Sequence, residues 1–293
     1  MPPCSPNLKK MHYEINNYPD GSKYVKVSSY PSTFTFKINR YEDLWILNQI
    51  LDVYKYQNEN KPTVTIPNLL DAQADRRFAK NESFGLKLVC DFLNKMYANF
   101  KIFHPHNPEV VEALMDNVKI MDNTYFIKEV LSKIYCEQVN IKRDEGIFYH
   151  VNHNISNIIL MSSDAGGFKP LIKLCKNIDW KGETHSCSKA RINNGNKYSL
   201  VQKIGRYDFK GKDILIVDDI CVYGGTFKGL ANKLRERNCG KLYLAVSHMT
   251  IQNLGNDPVT NYFDSVFCTN SKFDSYYTPN TFQPKILEVI KLF

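Results

Sequence analysis

Residues 213–227 read DILIVDDICVYGGTF. An apolar, mostly β-branched run leads into two adjacent carboxylates, Asp218 and Asp219. A short linker then reaches Gly224-Gly225-Thr226, where a helical pattern begins. In open α/β sheets, ligands bind beyond the carboxyl ends of the strands. Paired carboxylates there can accept hydrogen bonds from neighbouring hydroxyls, as on ribose, or hold Mg²⁺ through water. Glycines let the backbone approach an anion, and the N–H groups of a helix start point at it. A glycine turn alone would be an ordinary strand–turn–helix. The apolar strand, the two aspartates and the turn together point to a sugar-phosphate site.

A second stretch, SNIILMSSDAGG (156–167), has the same logic. Asp164 can bind Mg²⁺ while the backbone of Ala165, Gly166 and Gly167 cradles a diphosphate. Between the two stretches lies SCSKARINNGNKYS (186–199), polar and glycine-containing, as a closing arm should be. Lys189 and Arg191 can bring positive charge over reacting phosphates. An isolated Lys-x-Arg would be a solvated loop, and position is what gives this one a role. His185 and Cys187 are near enough to suggest a metal pair, but no partner ligands follow.

The elements that must position these residues alternate strand and helix. Segment 23–31 alternates as a strand. Segment 40–57 puts Leu44, Leu47, Ile50, Leu51 and Tyr54 on one helical face. Segments 62–68 and 100–104 are short strands, and 81–97 is a helix with a cap-like Asn81. Strands are expected at 156–164, 213–219 and 241–249, with helices at 170–178 and 226–238, the latter capped by Thr226. The C-terminal PKILEVIKLF reads as a terminal helix, 283–293, that packs back on the N-terminal domain. The fold class is α/β: two tandem Rossmann-like domains with mostly parallel sheets, 12–145 and 146–293. The boundary is placed in the polar KRDEG stretch near residues 142–150.

Length and composition bound the function. The 293 residues suit two domains, and 43% hydrophobic with 23% charged residues is ordinary for a soluble protein. No apolar run approaches the ~20 residues that span a bilayer. The first residues lack an apolar signal core, so a cytoplasmic location and no membrane partner are expected. The eight cysteines form no CxxC pair, which reads as free, mostly buried thiols rather than a zinc or redox motif. The net charge of +8 is spread along the chain. That favours small phosphate ligands over nucleic acid.

These motifs resemble, in order, those of the ribose-phosphate diphosphokinase (PRPP synthetase) family, whose domains have the type I phosphoribosyltransferase fold. The resemblance runs from about Tyr18 to the C-terminus. YPDG (18–21) is similar to that family's Phe-x-Asp-Gly-Glu, and IPNLLDAQADRRF (66–78) to its Pro-Tyr-x-x-Tyr-Ala-Arg-Gln-Asp-Arg segment. HPHN (104–107) matches Asp-Leu-His-Ser, and SSDAGG (162–167) matches Pro-Asp-x-Gly-Gly. Lys189-Ala190-Arg191 matches Lys-Arg-Arg on the catalytic arm, and FKGKDILIVDD (209–219) matches Val-x-Gly-Lys-x-x-x-x-Val-Asp-Asp.

The resemblance implies transfer of the β,γ-diphosphate of ATP to the anomeric hydroxyl of a phosphorylated ribose, with Mg²⁺ and release of AMP. It implies that Lys189 and Arg191 are catalytic and that Asp218 and Asp219 hold the ribose. Asp164, Ala165, Gly166, Gly167, Tyr223, Gly224, Gly225 and Thr226 would bind phosphate or diphosphate. Tyr18, Asp20, Gln73, Asp75, Arg76 and His106 would bind ATP, and His106 and Asp164 would bind metal. Subunits would associate as a dimer or higher, with Tyr18–Gly21 completing a neighbour's ATP site.

The departures are informative. The family's Arg-Gln pair is Gln73-Ala74 here, its early Glu is Ser22, and its Asp before Leu-His is His104. The phosphate loop Asp-Thr-x-Gly-Thr becomes Val222-Tyr223-Gly224-Gly225-Thr226. One carboxylate and one threonine hydroxyl become an apolar residue and an aromatic one. That suggests an acceptor with a larger 5′ group, such as ADP-ribose, giving ADP-ribose 1-pyrophosphate. The diphosphokinase of phage NAD⁺-rebuilding pathways is a similar, divergent branch, and the 18 tyrosines are compatible with a viral source. Ribose 5-phosphate, giving PRPP, stands beside it. A phosphoribosyltransferase, a non-catalytic regulatory homologue and a nucleic-acid-binding regulator are the rival classes.

Overall fold

The computed structural model describes residues 11–77, 79–139, 157–193, 198–205, 208–276 and 286–293, with 189–193, 198–202 and 286 described by backbone alone. Two compact units emerge, one extending to Asp122 and including Phe293, the other Asn123–Leu292.

The first unit begins with an antiparallel hairpin, β1 (Tyr13–Asn17) and β2 (Lys23–Val27). It continues through β3 (Thr33–Thr35), α1 (Tyr41–Tyr56), β4 (Thr63–Ile66), α2 (Gly85–Asn94), β5 (Asn99–Phe103), α3 (Pro108–Leu114) and β6 (Val118–Met121). Strands β3 to β6 form a parallel sheet in sequence order. The predicted face of α1 is buried, Leu47 and Ile50 completely, against Val64 and Ile66 of β4 and Ile102 of β5. Helix α2 starts at Gly85 rather than at Asn81, because Phe84 and Leu86 turn inward to that core while Asn81 to Ser83 stay exposed.

The second unit contains α4 (Thr124–Gln138), β7 (Ile158–Ser162), α5 (Phe168–Asn177), β8 (Thr184–Ser186), β9 (Ser188–Asn193) and β10 (Tyr198–Lys203). It goes on through β11 (Asp213–Cys221), α6 (Gly225–Arg235), β12 (Leu242–Met249), a short 3₁₀ turn (Val259–Tyr262), β13 (Ser265–Thr269) and β14 (Ile286–Ile290). Six strands form one parallel sheet, ordered β14-β13-β12-β11-β7-β8. Strands β7, β12 and β13 are buried along their whole length, as both faces are covered. Ile214 and Ile216 of β11 pack with Leu230 and Leu234 of α6. The alternate residues Leu215 and Val217 pack with Val130 of α4 and Leu171 of α5.

Two expectations are corrected. The terminal helix is an edge strand, β14, whose described residues pair in register with β13. Its residues Ile286, Val289 and Ile290 are β-branched and suit a pleated edge better than a short helix. Glu288 of this strand pairs with Lys133 of α4 at 2.5 Å. The division between units falls at Asp122/Asn123, not at 145/146. Helix α4 buries Phe126, Ile127, Val130 and Ile134 among β7, β11 and β12, so it belongs with the second sheet. The KRDEG stretch lies outside the described residues. Phe293 belongs with the first unit, its ring edge-on to Phe103 at 5.1 Å.

Candidate active site

From β7 the chain passes by α5 to β8 on one side of the sheet. From β11 it passes by α6 to β12 on the other. The chain therefore reverses direction across the sheet between β7 and β11, and such a switch point opens a crevice at the strands' carboxyl ends. Asp218 and Asp219 sit at that crevice. They do not end the strand, as expected, but lie inside β11. The ladder to β7 stops at Val217–Ser162, while the ladder to β12 continues to Cys221–Met249. The carboxylates are thus held on the β12 side and released on the β7 side.

The released side is bridged by a side chain. Ser163, 4% exposed, donates its hydroxyl to Asp218 Oδ2, and the Asp219 N–H donates to Asp218 Oδ1 at 2.9 Å. Burial pushes the Asp218 carboxyl well above the usual carboxylate range, and the charge of Asp219 adds to this. The donors Ser163 and Asp219 N–H work in the opposite direction.

Two glycine turns flank the crevice. After β7, Asp164 Oδ1 accepts the Gly167 N–H at 3.0 Å, and Ala165 and Gly166 are exposed at the start of α5. After β11, Val222 is half-buried and Tyr223 is 81% exposed. The cap of α6 is Gly224, in the left-handed region at φ 75°, and not Thr226, which lies inside the helix. A Cβ on Gly224 would meet Val259 Cβ at 2.7 Å, whereas one on Gly225 would meet nothing within 4 Å. Gly224 therefore satisfies the fold, and Gly225 keeps open backbone at the helix start. Lys228, one turn into α6, ties to Asp257 at 2.8 Å and fixes the loop before the 3₁₀ turn.

The expected closing arm is a two-stranded antiparallel ribbon, β9 with β10. Lys189 and Arg191 occupy alternate positions of β9, opposite Gln202 and Leu200. Their side chains lie outside the described residues. The ribbon is rooted beside the glycine turn after β7: the Cys187 N–H donates to Ser162 O at 3.3 Å, and Ser188 Oγ donates to Lys203 O at 3.1 Å.

In the first unit a polar cluster forms beyond β4 and β5. Asp75, 6% exposed, accepts Asn107 Nδ2 at 2.9 Å and Arg76 Nε at 3.1 Å. Burial works against its ionisation, but the bonds from Asn107 and Arg76, with the charges of Arg76 and His106, hold its carboxyl below the usual range. Arg76, Gln73 and His106 are exposed. The structure thus brings Asp75, Arg76 and His106 together. Tyr18 and Asp20 are separate, on the β1–β2 turn, where Asp20 Oδ1 accepts the Ser22 N–H at 2.9 Å and its hydroxyl at 2.7 Å. These bonds lower the Asp20 carboxyl. The Tyr18 ring leans on Tyr24 at 4.7 Å.

Two residues were missed at the sequence level. Asn107 carried a signal, since Asn before Pro108 is a helix-start pattern, and it does cap α3 by accepting the Val110 N–H at 3.3 Å. Ser163 carried none, because its partner lies 55 positions away. Among the described residues no three His, Cys, Asp or Glu side chains gather as a metal-ligand set. Mg²⁺ is commonly held by one or two carboxylates plus substrate phosphates and water, and Asp164 at its exposed turn suits that arrangement. The described cysteines are all free, and all but the half-buried Cys239 are buried. Among the described residues no helix is long and apolar enough to cross a membrane.

No family model matches the chain. Curated relatives do match over most of its length. A ribose-phosphate pyrophosphokinase of Thermococcus kodakarensis is 23% identical over 270 residues, covering 90% of this chain and 86% of the relative. That of Porphyromonas gingivalis is 25% identical over 272 residues, covering 92% and 76%. Over most of its length the chain is similar to ribose-phosphate pyrophosphokinases. A solved pyrophosphokinase-family structure, the phosphoribosylpyrophosphate synthetase of Mycobacterium smegmatis, shares the fold. Its TM-score is 0.67 at 18% identity, with 96% of this chain and 86% of that one covered. Against the pyrophosphokinase motifs, this chain carries Ser163 where Pro precedes the Asp of the Pro-Asp-x-Gly-Gly segment.

Proposed function

We propose that the chain transfers the β,γ-diphosphate of ATP to the anomeric hydroxyl of a ribose that carries a 5′-phosphate group. The single observation that carries this reading is the Asp218–Asp219 pair at the switch point, flanked by two glycine turns that each open a helix. The names of the curated relatives support it. The anomeric oxygen attacks the β-phosphorus. The bond from that phosphorus to the α,β-bridging oxygen breaks, its electron pair leaves with AMP, and the hydroxyl proton is released. Such transfer depends on positioning and charge neutralisation more than on covalent help from the protein.

In this account Asp218 and Asp219 accept from the ribose hydroxyls and fix the anomeric oxygen. The backbone of Ala165, Gly166 and Gly167 holds the diphosphate, and Gly225 and Thr226 hold the 5′-phosphate. Lys189 and Arg191 bring charge to the transferred phosphates on the ribbon. Tyr18, Asp20, Gln73, Asp75, Arg76 and His106 bind ATP. Magnesium, when bound, neutralises the migrating diphosphate, and Asp164 and His106 are the residues that would hold it. The subunits associate as a dimer or higher.

For the acceptor, Tyr223 supports ADP-ribose over ribose 5-phosphate. A side chain that is 81% exposed beside a phosphate turn is a flat platform for a base or second ribose, where the family has the smaller threonine. The test is AMP formation from ATP and Mg²⁺ with ribose 5-phosphate, with ADP-ribose, or with neither. AMP that needs a sugar supports the reaction, and AMP without one contradicts it. Preference for ADP-ribose that falls in Tyr223→Thr supports the platform. Activity on ribose 5-phosphate alone removes it.

A further inference from the structure

We infer that Ser163 is a positioning residue for the ribose clamp, acting through Asp218. The inference rests on the function proposed above, and it concerns a residue where the family pattern has proline, which has no hydroxyl to offer. Three observations meet at this position. The ladder between β7 and β11 ends one residue before Ser163 and Asp218, so backbone pairing with β7 no longer fixes the clamp there. The Ser163 hydroxyl supplies the missing cross-link to Asp218 Oδ2. Ser163 is itself 4% exposed, too buried to touch a sugar, whereas Asp218 is only partly covered.

The consequence is geometric. A carboxylate has two rotational freedoms, and Asp218 spends one oxygen on the Asp219 N–H and the other on Ser163. With both oxygens anchored, their remaining lone pairs point in fixed directions. A ribose hydroxyl then meets a preformed acceptor rather than a mobile one. Ser163 also links the two halves of the site, because it stands between Ser162, which accepts the arm's root at Cys187, and Asp164, which opens the diphosphate turn. A buried serine that merely satisfied its own hydroxyl would stabilise the fold without distinguishing one sugar hydroxyl from another.

Calorimetry with Mg²⁺ present would compare ribose 5-phosphate with its 2-deoxy and 3-deoxy analogues on wild type, Ser163→Ala and Ser163→Thr. Wild type should bind ribose 5-phosphate more tightly than both analogues. Ser163→Ala should weaken ribose 5-phosphate about tenfold, the scale of one lost hydrogen bond. It should leave the analogue that lacks the hydroxyl held by Asp218 within about twofold of its wild-type value. Ser163→Thr, which keeps the hydroxyl, should restore the discrimination. Equal weakening of all three sugars in Ser163→Ala, or no weakening, overturns the inference while leaving the function intact. If wild type binds ADP-ribose instead of these sugars, the same series is read with ADP-ribose and its deoxy analogues; if it binds neither, the proposed function fails and the inference falls with it.

Discussion

The adjacent glycines of the turn after β11, proposed to hold the 5′-phosphate, should fail in different ways. Gly224 has φ 75°, and a Cβ there would stand 2.7 Å from Val259 Cβ and 2.9 Å from its Cγ2. A left-handed backbone costs a residue with a Cβ about 1–2 kcal/mol. Pushing aside Val259, which is 3% exposed, adds about 1–3 kcal/mol of overpacking. Gly224→Ala should therefore destabilise by about 3 kcal/mol, or roughly 6–12 °C in Tm for a unit of this size. Gly225 has open space at the same point and begins α6 without a positive φ. Gly225→Ala should change stability by less than about 0.5 kcal/mol. Its methyl would instead lie where a phosphate approaches the helix start, and the KM for the sugar phosphate should rise about tenfold or more. Urea or thermal unfolding followed by AMP-release kinetics separates the two. Equal destabilisation by both substitutions, or normal KM in folded Gly225→Ala, would refute the division of labour.

Three further outcomes are expected. Lys189→Ala should lower kcat by at least about a hundredfold, with unfolding unchanged, if its charge acts on the transferred phosphates; normal turnover in the AMP-release assay removes it from the site. Asn107→Ala loses both the α3 cap and the bond to Asp75 and should cost about 1–3 kcal/mol in urea unfolding, with a raised KM for ATP; an unchanged midpoint contradicts the cluster. Burial pushes the Cys90 and Cys175 thiols up to about 11. Their contribution to stability is therefore full below the unfolded value of about 8.5 and is lost as pH rises toward 11. Cys90→Ala should flatten that alkaline decline, and a slope identical to wild type would count against the buried thiol.

Much of the second unit was legible in sequence because its strands are buried on both faces. IILM, ILIV and LYLAV are apolar runs that tolerate no other setting. The glycine turns after β7 and β11 were legible for the same local reason. The terminal strand was not: ILEVIKLF is periodic enough for a helix, and only its partner β13 decides otherwise. The ribbon that carries Lys189 and Arg191 was read as a polar arm without its strands, since the residues its ladder pairs have little apolar pattern. Asp218 and Asp219 were legible as adjacent carboxylates near the carboxyl end of a buried strand. That β11 continues past them is a matter of unequal ladders to β7 and β12, which a single segment does not encode. Thr226 looked like the helix cap because threonine commonly caps. The left-handed Gly224, pressed on Val259 thirty-five positions later, took that place.

The central claim is that two phosphoryl groups move together from ATP to an anomeric oxygen. Phosphorus NMR on a reaction of the protein with Mg²⁺, ATP and either ribose 5-phosphate or ADP-ribose measures this directly. The account predicts AMP in equal amount with a sugar that bears a diphosphate on its anomeric carbon, both phosphorus atoms coming from the β and γ positions. Formation of ADP with a singly phosphorylated sugar, or no change in either sugar, would contradict it.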